Sequence, residues 1–191
     1  MYTLILDSAT KILYISLIKD NKVLFEKYLE GFNDHAKNIV YLVDEALKEN
    51  KISVDDLGKI VVGIGPGSYT GVRMAVTVAK MLSSFKEIPL YEISTLKLMA
   101  SGKKGIILSM IDARRNSSFA AIIDTKKDKY VLTEGLYEND KLLDMDYEEV
   151  SKEDCFIVDP IYVINNSTIV ENVDLLTPNY LRDTEAERNL K

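Results

Sequence analysis

The feature of the sequence that most constrains the fold is the stretch Gly65-Pro66-Gly67-Ser68-Tyr69-Thr70-Gly71, which lies between two apolar segments of different length. Residues 59–64, before it, are rich in β-branched side chains and have the length of a strand. Residues 72–85, after it, contain no glycine or proline and have the length of a helix. The stretch therefore predicts a strand-to-helix turn, a connection typical of an α/β fold.

Two interpretations of this turn remain open. Glycine lets a ligand approach the main chain, and free amides at a helix N-terminus favour phosphate, so Gly65, Gly67 and Ser68 are candidates for cofactor binding. The alternative is that these residues only shape the turn, with Ser68 or Thr70 capping the helix. The stretch has neither a Walker lysine nor the Gly-x-Gly-x-x-Gly spacing, which excludes a P-loop and a Rossmann fingerprint.

The first half of the chain predicts a strand meander followed by alternating helices and strands. Apolar runs bounded by polar turns predict the meander, and a helix follows in which Asn33 or Asp34 is the expected cap. That helix is indicated by apolar residues that recur at helical spacing. The predicted elements are strands over 3–7, 12–18, 23–29, 59–64 and 89–93 and helices over 35–49, 72–85 and 94–100.

A second strand-rich unit follows the linker Lys103-Lys104-Gly105. Both units open with a strand that ends in aspartate, Asp7 in the first and Asp112 in the second, which indicates an internal duplication. We expect an N-terminal lobe over 1–102 and a reduced C-terminal lobe over 103–191, with packing of the tail on the first lobe left open. The predicted strands of the second unit cover 106–112, 119–124, 130–137 and 155–158.

The distribution of charge argues against a large nucleic-acid surface. The formal net charge is −6, but residues from Glu134 onward carry 15 acidic and 5 basic side chains, whereas the first 133 residues carry 15 acidic and 19 basic ones. An acidic half repels phosphodiester backbones. A single cysteine, Cys155, excludes an internal disulfide and a cysteine-cluster metal site. No apolar run has the roughly 20 residues that span a bilayer, and no signal-peptide pattern opens the chain, so a cytoplasmic location without membrane contact is expected.

The histidine content predicts no metal site and no catalytic residue. His35 is the only histidine, and the residue one helical turn further on is Ile39, whereas a metal site on a helix needs two ligands on one face. The sequence also lacks the Gly-x-Ser-x-Gly elbow of a serine hydrolase.

Five segments are distinctive, and they are spread in order over nearly the whole chain. They are Ile5-Leu6-Asp7-Ser8-Ala9-Thr10, His35, Gly65 through Arg73, Asp112-Ala113-Arg114, and Pro178-Asn179-Tyr180-Leu181-Arg182. Together they resemble the TsaB (YeaZ) family, the partner subunit in bacterial threonylcarbamoyladenosine synthesis on tRNA. The resemblance implies an α/β fold of the actin-like, Hsp70-like and sugar-kinase-like (ASKHA) class, with two related lobes, of which the second is shortened here.

The resemblance also implies a non-catalytic role in tRNA modification. A chain of this family is expected to pair with a TsaD-like transferase, to be joined by a TsaE-like ATPase, and to form a homodimer when alone. It is expected to contact tRNA only indirectly through the complex and to need no cofactor.

A small actin-like ATPase or kinase that binds nucleotide itself is the alternative. In this fold class the turn after the first strand of each lobe binds phosphates. Asp7 and Asp112, at the ends of these strands, could orient a metal ion or a water molecule. The turns Ser8-Ala9-Thr10 and Ala113-Arg114-Arg115-Asn116 lack the glycines that let a backbone approach phosphate, which argues against this alternative.

The helix over 72–85 is apolar on two faces, and both must be buried. One face carries Gly71, Ala75 and Ala79, and the other carries Met74, Val78, Met81 and Phe85. Burial of both faces within one chain stays open, but the resemblance implies that two helices of each chain pair across an interface. A large charged residue at Ala75 or Ala79 is then expected to abolish pairing and leave the chain folded. The predicted interface comprises His35, Ile39, Val40, Val43, Leu47, Gly71, Arg73, Met74, Ala75, Val78, Ala79 and Leu82.

Arg73 lies in the first turn of this helix, where a cation is unfavourable with the helix dipole. An acidic group that offsets it is therefore expected, with Asp7, Asp112 or an acid on another subunit as candidates. A solvated arginine at the helix edge is the alternative.

Overall fold

A computed structural model describes residues 1–30 and 35–181. The first half contains β1 (Tyr2–Asp7), β2 (Ile12–Lys19), β3 (Lys22–Glu30), α1 (His35–Glu49), β4 (Leu57–Gly63), α2 (Tyr69–Lys86), β5 (Leu90–Ile93) and α3 (Thr95–Ala100). The second half contains β6 (Ile106–Asp112), β7 (Ser117–Asp124), β8 (Lys129–Glu138), α4 (Asn139–Leu143), β9 (Glu149–Lys152), α5 (Pro160–Asn165) and β10 (Thr168–Ile169). Short 3-10 turns cover Val54–Asp56 and Val173–Leu175.

The first sheet has the strand order β10-β5-β4-β1-β2-β3. Strands β1, β2 and β3 form the predicted antiparallel meander, and β4 and β5 continue from β1 in parallel. Side chains alternate between the two faces of a strand. Leu4 and Leu6 therefore point to one core, which α1 and α2 complete, and Ile5 points to another.

The second sheet repeats the first in a reduced form. Its order, β8-β7-β6-β9, combines an antiparallel meander with one parallel strand, as in β3-β2-β1-β4. A helix of five residues, α4, connects β8 to β9, where the first sheet has the fifteen-residue α1. This repetition confirms the predicted α/β fold with two related lobes, the second of them shortened.

The predicted fourth strand of the second lobe is wrong. Residues 155–158 make only an isolated bridge from Cys155 to Lys152, and the strand parallel to β6 is instead β9. Phe156 and Val158 are buried while Ile157 is exposed, so the apolar alternation at this point reflects packing of an extended segment between the sheets rather than strand pairing.

The chain returns to the first sheet after α5. Strand β10 pairs antiparallel with β5, and the amide of Asn179 donates to the carbonyl of Ile64 over 2.7 Å. We name residues 168–181 the crossing segment. The bounds 1–102 and 103–191 remain our proposal for the two lobes, and the proposed boundary falls between α3 and β6.

One apolar core is shared by the two sheets. Ile5 and Tyr14 of the first sheet, Met99 of α3, and Ile107 and Ile123 of the second sheet belong to the same buried cluster. A continuous core of this kind holds the two sheets against each other. No helix in the part of the chain that the structure describes is long and apolar enough to cross a membrane.

Candidate functional site

The glycine-rich loop at the start of α2 packs closely against the turn between β1 and β2. A β-carbon at Gly67 would overlap the carbonyl of Ala9, and one at Gly71 would overlap the carbonyl of Ser8. Gly67 also has a φ of 154°, which side-chain-bearing residues avoid. The loop therefore needs glycine at these positions in order to approach another segment of the same chain.

Amides of this loop are already bonded within the protein. The Ser68 amide donates to the carbonyl of Ala9 over 2.7 Å, and the Gly65 amide donates to Thr95 Oγ1 over 3.0 Å. Ser68 caps α2, since its hydroxyl accepts from the Gly71 amide over 3.3 Å. These contacts favour a shape-forming turn, and phosphate binding by Gly65, Gly67 and Ser68 stays a prediction.

Asp7 lies beneath the turn with no exposed surface. Its Oδ1 accepts from the Ala9 amide over 2.8 Å, and its Oδ2 accepts from Thr95 Oγ1 over 2.6 Å. Burial raises the pKa of Asp7, and the hydrogen bonds from Thr95 and Ala9 partly oppose that rise. The carboxyl of Asp7 joins β1 to α3 inside the protein and is not exposed to solvent. That it orients a metal ion or water, as in the nucleotide-binding alternative, stays a prediction.

A cleft of about 530 Å³ separates the corresponding turns of the two lobes. Asp112, at the end of β6, is exposed at this cleft and accepts from the Arg114 amide over 2.9 Å, the same bond that Asp7 makes to Ala9. Lys11 and Glu153 form an ion pair of 3.0 Å across it. Within residues 1–30 and 35–181, no group of three or more acidic, histidine or cysteine side chains is arranged to hold a metal ion.

Half of the predicted interface residues are buried in the chain's own core. Ala75 and Ala79 of α2 have no exposed surface, because their small side chains let α2 lie close to the first sheet and to α1. Their expected contact with a partner is therefore wrong. A large charged residue at either position would have to enter the core, so we expect it to unfold the chain rather than leave it folded. The same burial removes Gly71 and, on α1, Ile39, Val43 and Leu47.

Five of the remaining predicted residues keep exposed surface. Val40 is 60% exposed, Arg73 is exposed, and Met74, Val78 and Leu82 are partly buried. The side chain of His35 and the caps Asn33 and Asp34 lie outside the described residues. The prediction omitted further exposed apolar side chains on the same two helices, which are Tyr41, Tyr69, Met81 (54% exposed) and Phe85 (79% exposed).

A groove of about 390 Å³ runs along the N-terminal half of α2 and is lined by Tyr69, Thr70, Arg73, Met74, Thr77 and Val78. We name it the α2 groove. Its apolar floor continues into the exposed Met81 and Phe85, which follow Met74 and Val78 at helical spacing. That spacing is the signal in the sequence that marks this face.

Arg73 is held by aromatic rings rather than by an acid. Its Nε donates to the Tyr180 hydroxyl over 2.7 Å, and its guanidinium carbon lies 4.4 Å from the centre of the Tyr69 ring. The two tyrosine rings are 5.1 Å apart. Among the residues described, no carboxylate lies within 4.0 Å of Arg73, so neither Asp7 nor Asp112 is its partner.

The crossing segment forms hydrogen bonds with the outer side of α2. Lys80 Nζ donates to the carbonyls of Asp174 and Leu176 over 2.9 and 3.1 Å. Asn179 Nδ2 donates to Glu134 Oε2 over 3.2 Å, which connects the segment to β8. Sequence patterns did not indicate these contacts. The residues of α2 and their partners in the crossing segment are about a hundred positions apart along the chain.

Comparison with known proteins gives consistent matches. The family described as TsaD, tRNA N6-adenosine threonylcarbamoyltransferase, matches residues 30–167. The tRNA threonylcarbamoyladenosine biosynthesis protein TsaB of Bacillus subtilis (strain 168) is 31% identical over 156 residues, which are 80% of this chain and 67% of that protein. TsaB of Escherichia coli (strain K12) is 33% identical over 126 residues, 63% of this chain and 54% of that protein.

A solved structure, YeaZ from Pseudomonas aeruginosa, has the same fold. It superposes with a TM-score of 0.76 at 17% identity and covers 94% of this chain and 99% of that one. At this identity the likeness concerns the fold alone.

Proposed function

Because the chain belongs to the TsaB (YeaZ) family, we propose that it is the non-catalytic subunit that pairs with a TsaD-like transferase in the threonylcarbamoyladenosine modification of tRNA. The observation that carries the proposal is the exposed apolar surface of α1 and α2, formed by Val40, Tyr41, Met81, Phe85 and the α2 groove. Exposed apolar side chains concentrated on two packed helices are typical of protein interfaces.

The state of the cleft supports a role without catalysis. Asp7 is buried and hydrogen-bonded on both oxygens, and the amides of Gly65 and Ser68 are used within the chain. A phosphate that used the amide of Gly65 or Ser68 would have to displace its bond to Thr95 or Ala9, and the displaced group would lose that partner.

The partners of the chain follow from the same reasoning. We propose that α1 and α2 bind the TsaD-like transferase, that a TsaE-like ATPase joins the pair, and that the free chain self-associates through the same surface. The acidic second half makes direct tRNA binding unfavourable, so tRNA is contacted through the complex. We place the complex in the cytoplasm.

Reconstitution tests the proposal. The purified chain, the TsaD-like and TsaE-like proteins of the same organism, tRNA and threonylcarbamoyl-adenylate are combined in all subsets, and modified tRNA is measured. We expect no product from this chain alone and full turnover only when it accompanies the transferase. Product formed by this chain without a partner, or a transferase indifferent to its presence, contradicts the proposal.

The cleft favours one second candidate, a nucleotide-binding ATPase or kinase, because its volume would hold a small ligand. Calorimetric titration of the chain with ATP and Mg²⁺ separates the two functions. We expect no binding heat, since Asp7 and the amides of Gly65 and Ser68 are already engaged. Saturable binding, lost when Ser68 is replaced by a bulky residue, would favour the second candidate.

A further inference from the structure

Asn179 links the second lobe to the loop at the start of α2. Its side-chain Nδ2 donates to Glu134 Oε2 of β8 over 3.2 Å, and its main-chain amide donates to the carbonyl of Ile64 over 2.7 Å. A β-carbon at Gly65 would lie 3.0 Å from the carbonyl oxygen of Asn179, so the loop and the crossing segment are in close contact here. One residue of the crossing segment therefore contacts both lobes.

The carboxylate of Glu134 is held at both of its oxygens. The hydroxyl of Tyr130, four residues earlier on β8, donates to Glu134 Oε1 over 2.6 Å, while Asn179 donates to Oε2. Burial raises the pKa of Tyr130, and the Glu134 carboxylate adds to that rise, so the phenol remains a donor at neutral pH. Hydrogen bonds to an ionised acceptor are stronger than those between neutral groups. Glu134 is therefore a fixed acceptor for Asn179.

The residue after Asn179 reaches the α2 groove. The hydroxyl of Tyr180 accepts from Arg73 Nε over 2.7 Å, and its ring lies 5.1 Å from that of Tyr69. Tyr69 and Arg73 both line the groove. Because consecutive Cα atoms are about 3.8 Å apart, the position of Asn179 restricts where the side chain of Tyr180 can lie. Glu134 is therefore connected to Arg73 through two successive residues of the crossing segment.

We infer that Glu134 is a positioning residue, which fixes the end of the crossing segment from the second lobe and thereby sets the geometry of Arg73 and of the adjoining end of the α2 groove. The residues that line this groove all belong to α2, so the second lobe acts on it only through the crossing segment. The consequence for binding rests on the proposed function, because the expected partner at α2 is the TsaD-like transferase. The position of the crossing segment can be tested without that partner.

Amide hydrogen exchange of the free full-length chain, followed by NMR, tests the positioning role. Glu134→Ala removes the acceptor of Asn179 Nδ2, so the main-chain amide of Asn179 should exchange about tenfold faster. The amides of β1 should exchange at the wild-type rate. Release of the crossing segment is local, whereas a loss of global stability accelerates exchange throughout the core.

Two variants are the matched controls for this measurement. Glu138→Ala removes another acid of β8, which forms an exposed ion pair of 3.0 Å with Lys141, and should leave exchange at Asn179 unchanged. Glu134→Gln keeps an oxygen that can accept a hydrogen bond and should retain most of the protection. An Asn179 amide whose exchange is unaffected by Glu134→Ala overturns the inference.

Titration of the same variants against the purified TsaD-like transferase of the same organism tests the effect on binding. We expect Glu134→Ala to weaken binding about threefold to tenfold. Asn179→Ala removes the same hydrogen bond from its other end and keeps the main-chain bond to Ile64, so it should cause a similar loss. If both changes act through this one bond, the double variant should bind no more weakly than either single variant.

The double variant distinguishes positioning from direct contact. Losses that add would mean that Glu134 touches the transferase or acts on folding, and they overturn the inference. Faster exchange at Asn179 with unchanged transferase binding overturns it as well, because the crossing segment then does not set the partner surface. A wild-type chain that neither binds nor activates the transferase contradicts the proposed function, while hydrogen exchange in the free chain still tests the positioning role of Glu134.

Discussion

Asp7 and Asp112 make the same turn at the ends of equivalent strands, but their surroundings differ. Each accepts from the amide two residues further on, yet Asp7 is buried and Asp112 is exposed. Because burial raises the pKa of Asp7 in the folded chain, the folded state holds this proton more tightly than the unfolded state does. The carboxyl therefore stabilises the fold at acid pH. This stabilisation is lost as pH rises from the ordinary pKa of 3.8 through the higher pKa of the folded state.

We predict that Asp7→Asn removes this pH dependence. An amide does not titrate, so the free energy of unfolding of the wild type relative to the variant should be highest in acid and should decline toward neutral pH. Urea unfolding of both proteins across that range measures the difference. Asp112→Asn, which alters an exposed carboxylate with the same turn bond, is the matched control for the loss of that bond. Parallel curves for wild type and Asp7→Asn contradict the prediction.

Gly67 gives a second prediction at the scale of one residue. A β-carbon there would overlap the Ala9 carbonyl at a φ of 154°, so Gly67→Ala should destabilise the fold by about 2 kcal/mol. In Gly58→Ala the added methyl meets only the side chain of Met1, which can move aside, so this control should cost much less. Thermal unfolding of both variants measures the difference, and an equal loss would mean that the contact with Ala9 is not what requires glycine.

At the scale of elements, α2 buries Ala75 and Ala79 against the core and leaves Met81 and Phe85 exposed. We predict that Met81→Glu and Phe85→Glu each weaken binding of the TsaD-like transferase by tenfold or more, because burying such a side chain is worth about 1.5–3 kcal/mol. Both positions are exposed in the free chain, so its thermal unfolding should change little.

The control for this surface is Ile157→Glu, which changes an apolar side chain of similar exposure beyond β9 in the second lobe. It should leave transferase binding unaltered. Binding that falls equally in all three variants would indicate a general effect of added negative charge rather than an interface on α2.

The elements also show what the sequence could and could not predict. Hydrophobic periodicity and caps predicted the strands of the meander to within one residue at each end, and α1 over 35–49 and β6 over 106–112 with the bounds that the structure has. The same periodicity placed a strand over 155–158, because burial between two sheets produces the alternation of a strand without its hydrogen bonds. For α2 the two apolar faces were evident, but their assignment to core and surface depends on which face meets the sheet.

The binding partner of Arg73 shows a further limit. Local charge rules indicated that this cation needs a compensating group, and they suggested acids. The group that the fold supplies is Tyr180, which lies 107 positions away and reaches α2 only because β10 joins the first sheet. A contact set by a distant strand pairing has no local pattern in the sequence.

At the scale of the whole molecule, the core shared by both sheets predicts one cooperative unfolding unit. Ile107→Ala in β6 should lower the free energy of unfolding by about 2–5 kcal/mol. Because Ile107 packs in one cluster with Ile5 and Tyr14, hydrogen-exchange protection should fall equally in β1 and β6. Leu143→Ala, at an exposed position of α4, should change neither. A loss confined to the second sheet would mean that the lobes unfold separately.

The position of the crossing segment late in the sequence affects the order in which parts of the fold are completed during translation. Residues 168–180 cover the outer edge of β5 and the outer side of α2. These residues leave the ribosome after both meanders. Nascent chains fold from the N-terminus as they emerge. The first sheet therefore keeps an open edge at β5 until residues 168–180 emerge, and the surface beside Arg73 takes its final form only after both meanders have been made.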